Sequence, residues 1–178
     1  MYGIKWTENI MPKGEDKELE IMAPANVRAA RAFHESFPQY AETPLAGLDR
    51  LAEFLGVAKL CVKDESYRFG LNAFKVLGGS FAMARYISKL TGRPLEELCY
   101  DALTSRGLKE QTGEITFFSA TDGNHGRGVA WAARVLGQKA VIMMPKGSQP
   151  ARFENIRAEG ALTTIAELNY DDGLRKAA

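Results

Sequence analysis

Alternation of apolar runs with helical patterns in the second half of the chain constrains the fold more than any other feature. Three runs read as strands: ITFFSAT (115–121), KAVIMMP (139–145) and ALTTIAE (161–167). Helical patterns follow each of them, over residues 126–137, 149–160 and 169–178. Strands that are apolar throughout and alternate with helices are typical of parallel sheets covered on both faces. The sequence therefore predicts an α/β fold, an open parallel sheet with helices on both faces.

The first half of the chain is less regular. Residues 1–23 show no clear periodicity, and a helical pattern then runs from Ala25 to Phe37, where Pro38 ends it. Thr43-Pro44-Leu45 predicts an extended segment, because a residue before proline avoids the helical region. The remaining predictions are a helix over 48–55, a strand over 60–65 and helices over 72–90 and 94–103.

Composition excludes several classes of function. The 178 residues carry 23 basic and 22 acidic side chains, so no basic stripe for nucleic acid is expected. No apolar run is long enough for a signal peptide or a membrane span, which predicts a cytoplasmic protein. Cys61 and Cys99 match no metal spacing; both are interpreted as ordinary thiols, Cys61 as a buried one, and no metal site is predicted.

The motif TDGNHGRG (121–128) lies between a predicted strand and a predicted helix. Glycine lowers helix stability, so three glycines at a helix start indicate that something approaches the backbone closely. Backbone amides at such a turn suit a carboxylate or a phosphate. The alternative is that the glycines only allow close packing of the helix on the strand.

Lys75, in the motif LNAFKVLGG, is predicted one turn into a helix. A lysine there opposes the helix dipole, and the dipole favours the neutral amine that Schiff-base chemistry needs. The alternative is a surface lysine that tolerates a small penalty.

The two motifs together resemble the pyridoxal-phosphate enzymes of fold type II, the tryptophan-synthase-β superfamily. Within it the chain is most similar to the diaminopropionate ammonia-lyase family, through the segments KDESYRFGLNAFKVLGG, TDGNHGRGVAWAA, MPKGS and NYDD. The resemblance extends from about Tyr40 to the end of the chain. It implies the cofactor pyridoxal 5'-phosphate and the conversion of D- and L-2,3-diaminopropionate to pyruvate and ammonia. It also implies a homodimer with a role in amino-acid catabolism.

Residue roles follow from the same resemblance. Lys75 is similar to the Schiff-base lysine, which also acts as base for the L-isomer, and Phe74 precedes it in the cofactor site. Asn124 is similar to the asparagine that binds the phenolic oxygen of the cofactor. The residues expected around the substrate carboxylate are Thr121, Asp122, Gly123, Asn124 and His125. His125 is left open between a loop-orienting and a structural role, and His34 is interpreted as structural.

Asp122 departs from the small residue that the dehydratases of this superfamily carry at this point. A carboxylate beside a carboxylate-binding turn is electrostatically unfavourable. A role in proton transfer would explain why it is there. Asp122 is therefore predicted to be a second catalytic base, the alternative being a helix cap.

The resemblance also predicts a domain division, with residues 1–45 belonging to a larger domain and 46–178 forming a smaller α/β domain with the lysine. The glycine run that holds the cofactor phosphate in this superfamily is not found in the chain, so the 178 residues alone are expected to be inactive. Two other interpretations stay open: a serine or threonine ammonia-lyase, and a non-catalytic α/β module that binds a small anion.

Overall fold

The structure is a computed structural model that describes residues 21–121, 123–167, 172 and 175. Its α-helices are α1 (Pro24–Glu35), α2 (Asp49–Leu55), α3 (Val76–Thr91), α4 (Tyr100–Thr104), α5 (Arg106–Thr112), α6 (Asn124–Val135) and α7 (Pro150–Ala158). Its strands are β1 (Leu45–Gly47), β2 (Cys61–Lys63), β3 (Thr116–Ala120), β4 (Lys139–Pro145) and β5 (Leu162–Ala166). Two short 3-10 segments cover Glu65–Gly70 and Leu95–Glu97.

Strands β3, β4 and β5 form a parallel sheet in that order, with α6 and α7 as the crossover helices. Alternate residues of β4 are buried, with Ala140, Ile142 and Met144 at 6% exposure or less. Ile142 faces α6, since a Cβ added at Gly126 would lie 2.9 Å from its Cγ2. The predicted α/β fold with an open parallel sheet is confirmed.

The opposite face of this sheet is far more open in the described part of the chain. Phe118, Val141 and Leu162 are aligned across the three strands on that face. Phe118 and Leu162 are 65% and 66% exposed. Among the described residues, the helices that cover the sheet therefore pack on one side of it.

Strands β1 and β2 form a separate antiparallel pair, with Ala46 opposite Val62. The sequence predicted β2 as a strand, but it gave no sign that the Thr43-Pro44-Leu45 segment would pair with it. Cys61, predicted to be buried, is exposed on this pair because no element of the described chain covers the strand.

An aromatic cluster joins α1, α6 and the 3-10 segment that leads to α3. Trp131 of α6 lies 4.9 Å from Phe69 and 6.2 Å from Phe37, measured between ring centroids. Phe37 in turn lies 5.2 Å from Phe33. This cluster is continuous with the core between α3 and α6, so the segment before α3 is anchored from two sides.

Two helix predictions need correction. The helix predicted over residues 72–90 begins only at Val76, because Asn72 has a φ of 57°, which a right-handed helix cannot accommodate. The helix predicted over 94–103 is divided into the 3-10 turn and α4, with the fully buried Leu98 between them. The N-terminal 20 residues and most of the predicted last helix lie outside the described residues.

In the part of the chain that the structure describes, no helix combines the length and the apolar character needed to span a membrane.

Candidate functional site

Lys75 ends an irregular segment that leads into the longest described helix. It occupies the N-cap position of α3, immediately before the first helical residue, Val76, and its side chain is exposed. Phe69 and Asn72 upstream have positive φ values of 50° and 57°. The conformation of this segment therefore presents Lys75 at the start of α3 instead of along its side.

The second motif forms a tight turn between β3 and α6. Thr121 is 2% exposed, and its backbone N–H donates to the carbonyl of Met143 at 2.9 Å. Its Oγ1 accepts from the N–H groups of Gly123 and Gly126, each at 3.2 Å. The threonine hydroxyl thus occupies one N–H group in the first turn of α6, whose N-cap residue is Gly123. The motif alone did not indicate this structural role.

The glycines of this turn lie close to different neighbours. A Cβ at Gly126 would lie 2.1 Å from Cγ2 of Thr121, and one at Gly128 would lie 2.8 Å from the N and Cα atoms of Val76. Both glycines are therefore required by packing within the protein, the second by the start of α3. A Cβ at Gly123 would meet only the side chain of Arg152, at 3.4 Å.

The two motifs converge. Partial burial of the ring, and then the charge of Lys75, lower the pKa of His125, which keeps some contact with solvent. A polar cavity of about 120 Å³ lies between them, lined by Leu71, Asn72, Gly123, Asn124, Arg127, Arg152, Asn155 and Ile156. Residues shortly before Lys75 and residues at the start of α6 thus line one cavity.

The exposures of the predicted residues fit a surface that receives a ligand. Phe74 is 58% exposed, and Lys75, Asn124 and His125 are exposed as well. Asp122 lies outside the described residues, so its predicted role stays a prediction.

Arg127 and Asn72 are cavity residues that the sequence analysis missed. Their signal was present in the two motifs that contain them, but only the fold shows that both line one wall.

His34 connects α1 to α3. It is 8% exposed, and its Nε2 lies 3.0 Å from the carbonyl oxygen of Leu77 and 3.2 Å from Oγ of Ser80. Because a carbonyl only accepts, Nε2 carries the hydrogen of the neutral ring. Burial lowers the pKa of His34, which keeps the ring neutral at neutral pH. These contacts agree with the structural interpretation.

A buried polar cluster lies upstream of the lysine segment; we call it the upstream node. Arg68, whose side chain is 8% exposed, donates from Nε to Glu65 at 2.8 Å and from an NH2 group to Oγ1 of Thr43 at 3.1 Å. Thr43 donates to Glu65 at 2.5 Å, and Lys63 donates to the Thr43 carbonyl. The guanidinium of Arg68 holds the pKa of Glu65 at about 2, well below its ordinary value. The node attaches the chain around Thr43 to the segment that leads to Lys75.

Known proteins resemble the chain over most of its length. The family described as "Pyridoxal-phosphate dependent enzyme" matches residues 37–178. A diaminopropionate ammonia-lyase of Salmonella typhimurium is 53% identical over 146 residues, which are 82% of this chain and 36% of that protein. One from Escherichia coli (strain K12) is 47% identical over 156 residues, 87% of this chain and 38% of that protein.

A solved structure agrees with these sequence matches. The crystal structure of the Escherichia coli diaminopropionate ammonia lyase in complex with D-serine superposes with a TM-score of 0.82 at 45% identity. It matches 88% of this chain and 39% of that one, so the chain spans well under half the length of the relatives it matches. The resemblance indicated by the motifs is confirmed, and the chain belongs to the family of pyridoxal-phosphate dependent enzymes.

Proposed function

We propose that this chain is the lysine-bearing part of a lyase that converts 2,3-diaminopropionate to pyruvate and ammonia. The observation that carries the proposal is the meeting of Lys75 with α6, since a Cβ added at Gly128 would lie 3.3 Å from the carbonyl carbon of Lys75. The walls of one cavity also come from both motifs. Relatives from two organisms that share about half of the matched residues carry the name of this activity.

The residues present fit one end of the cofactor. Lys75 is exposed at the start of α3, and Asn124 is exposed at the first residue of α6. Lys75 would hold pyridoxal phosphate through its amine, and the side-chain amide of Asn124 would donate to the phenolic oxygen. When bound, the cofactor supplies an electron-withdrawing ring that stabilises negative charge at the substrate Cα.

The start of α6 suits the carboxylate of an amino acid. The N–H groups of the first turn of a helix lack intrahelical partners, and the positive end of the helix dipole favours an anion there. Thr121 shapes this turn through its hydrogen bonds to Gly123 and Gly126. We therefore assign the carboxylate to the turn of residues 121–125, with Thr121 acting through the backbone.

Lys75 is also the group placed to move the proton. With substrate bound, Nζ of Lys75 would take the Cα proton of the L-isomer. His125 is kept mostly neutral by its lowered pKa, so it does not add positive charge beside that amine. The net reaction consumes one water and releases two molecules of ammonia for each pyruvate, as atom balance requires.

A second base is needed for the D-isomer. If the carboxylate stays in one place, the two isomers present their Cα–H bonds to opposite faces, and one base cannot reach both. Asp122, next to the substrate turn in the sequence, is the candidate. The complex of the Escherichia coli relative with D-serine supports a site that accepts a D-amino acid. We further propose a cytoplasmic homodimer with the domain division at residue 45.

A chimera tests the proposal directly, since the chain spans only part of its relatives. Residues 37–178 would replace the matching part of the Salmonella typhimurium relative, and pyruvate formation from each diaminopropionate isomer would be followed. We expect activity on both isomers, complete loss in Lys75→Ala, and a loss of about 10²–10⁴-fold on the D-isomer alone in Asp122→Asn.

Matched controls separate the alternatives. Lys89, exposed at the other end of α3, is the control lysine for Lys75→Ala. A folded chimera that deaminates serine or threonine but not diaminopropionate would identify a dehydratase. Absence of borohydride-trapped pyridoxyl label at Lys75 would favour the non-catalytic module, and equal losses on both isomers would make Asp122 a capping residue.

A further inference from the structure

The segment between the upstream node and α3 is held in an unfavourable conformation. Phe69 and Asn72 both lie in the left-handed region, at φ values of 50° and 57°. The left-handed region is sparsely populated by residues that carry a side chain, such as phenylalanine, although asparagine adopts it more readily. We therefore expect contacts from outside the segment to support the conformation that presents Lys75.

Helix α6 supplies those surroundings along a single face. Trp131 packs against Phe69, with ring centroids 4.9 Å apart. One turn earlier, Gly128 leaves room for the backbone of Val76, whose N and Cα atoms would lie 2.8 Å from an added Cβ. Both contacts are apolar, and neither bonds to the polar backbone between Phe69 and Val76.

Arg127 makes the polar contact. Its NH1 donates to the carbonyl oxygen of Leu71 at 3.3 Å, next to Asn72. Its Nε donates to Glu159 at 3.1 Å, which fixes the guanidinium from behind. Glu159 is 8% exposed and also binds Arg134 at 2.8 Å. Arg127 thus connects a buried carboxylate to the strained segment, whereas Arg134 shares the same carboxylate and is not bonded to Leu71.

We propose that Arg127 is a positioning residue, which holds the Leu71–Asn72 backbone so that Lys75 is presented beside the start of α6. The proposal deepens the function proposed above and rests on it for the role of Lys75. Arg127 acts through the segment and need not touch substrate or cofactor.

The pair Arg127 and Arg134 gives a matched test in the 178-residue chain. Amide hydrogen exchange over residues 69–77 would be compared in wild type, Arg127→Met and Arg134→Met. The bond from a charged donor to a carbonyl corresponds to roughly tenfold or more in a local opening equilibrium. We expect Arg127→Met to accelerate exchange in this segment by about that factor and Arg134→Met to leave it unchanged, although both variants lose a bond to Glu159.

A second variant covers the case in which Arg127→Met does not fold. Arg127→Lys keeps the charge beside Glu159, but its single amine cannot serve Glu159 and Leu71 together, so the same acceleration is expected. Equal amide exchange in Arg127→Met and Arg134→Met would overturn the proposal. Unchanged amide exchange in both Arg127 variants would also overturn it.

Trapping separates this inference from the proposed function. In the chimera described above, with pyridoxal phosphate and borohydride, the rate of labelling at Lys75 should fall in Arg127→Met and not in Arg134→Met, with Lys89 as internal reference. If the chimera without these substitutions is not labelled at Lys75 while the exchange difference holds, the proposed function fails and the positioning role stands. If labelling is normal in every variant and the exchange difference is absent, only the positioning role fails.

Discussion

Two arginine–glutamate pairs hold the lysine segment, one at its start and one at Leu71, and they are built differently. In the upstream node, Arg68 and Glu65 are three residues apart, and their side chains are 8% and 20% exposed. In the second, which we call the downstream node, Arg127 is bonded to Glu159 across 32 residues of sequence, at 28% and 10% exposure. Arg134, the other partner of Glu159, is 51% exposed.

The difference shows where charge is costly in this molecule. Arg68 has little access to water, so its buried charge is stabilised by the bonds to Glu65 and Thr43 instead. Arg127 and Arg134 both reach solvent, so water can replace part of what Glu159 supplies. The upstream node should therefore dominate stability, while the downstream node, which reaches Leu71, should matter more for the geometry of the lysine segment.

Breaking the upstream node should have the largest effect. Glu65→Ala leaves the guanidinium of Arg68 buried without its carboxylate, and breaking a buried pair in this way costs about 3–5 kcal/mol. The free energy of unfolding from urea titration measures it. Glu65→Gln keeps an acceptor oxygen and should lose clearly less. Equal losses in the two variants would mean that the negative charge of Glu65, and not its shape or an acceptor oxygen, is what the site needs.

Acid should remove the same interaction without a mutation. The pKa of Glu65 is about 2 in the folded protein against an ordinary 4.5, so the folded state favours the ionised form. Its contribution is complete above pH 4.5 and is lost as the pH falls from 4.5 toward 2. The stability of wild type should fall more steeply with acid over this window than that of Glu65→Gln. Parallel curves would contradict the assigned cause.

Breaking the downstream node should cost less. Glu159→Ala removes the partner of two arginines that can both be hydrated, so we expect a loss of roughly 1–2 kcal/mol. Urea titration alongside Glu65→Ala gives the ranking. A loss as large as that of Glu65→Ala would show that the downstream node is desolvated as strongly as the upstream one.

Sequence reasoning succeeded where the signal is local. The strand prediction over residues 139–145 coincides with β4, because an apolar run of this length between turn signals has few other structures open to it. The roles of Lys75 and of the turn at Gly123 stay predictions, made from the residue order within each motif. Upstream, ES in KDES and the arginine three residues after the glutamate were present, but nothing local shows that Thr43 closes the cluster.

Long-range contacts explain what was missed. The start of α3 was placed too early because asparagine is tolerated both in helices and in the left-handed region, and the sequence alone does not show that Asn72 adopts the second. The glycines were correctly linked to a close approach. The groups that approach Gly126 and Gly128, however, belong to the protein itself, and the spacing of residues in the sequence does not predict these contacts.

The smallest expected effect is a change in the pKa of His34, whose ring contacts α3 and responds to the charge of Arg68 in the upstream node. Burial is the main cause of the lowered pKa of His34, and the charge of Arg68 lowers it further. Because the neutral ring is favoured in the folded state, its contribution to stability is complete above pH 6.5 and decreases as the pH falls below that value. In Glu65→Gln the charge of Arg68 loses its compensation, so the pKa of His34 should fall slightly further.

NMR titration of the ring protons reads this shift, and the chain has two histidines, which makes His125 the internal control. The pKa of His125 responds to burial and to Lys75 and should not move in Glu65→Gln. A shift in the pKa of His34 alone would show that the charge of Arg68 acts on the His34 ring, which contacts Leu77 and Ser80 of α3. Shifts of both histidines would instead mean that the substitution loosens the whole segment before Lys75, in which case the two nodes act as one unit and not as two separate attachments.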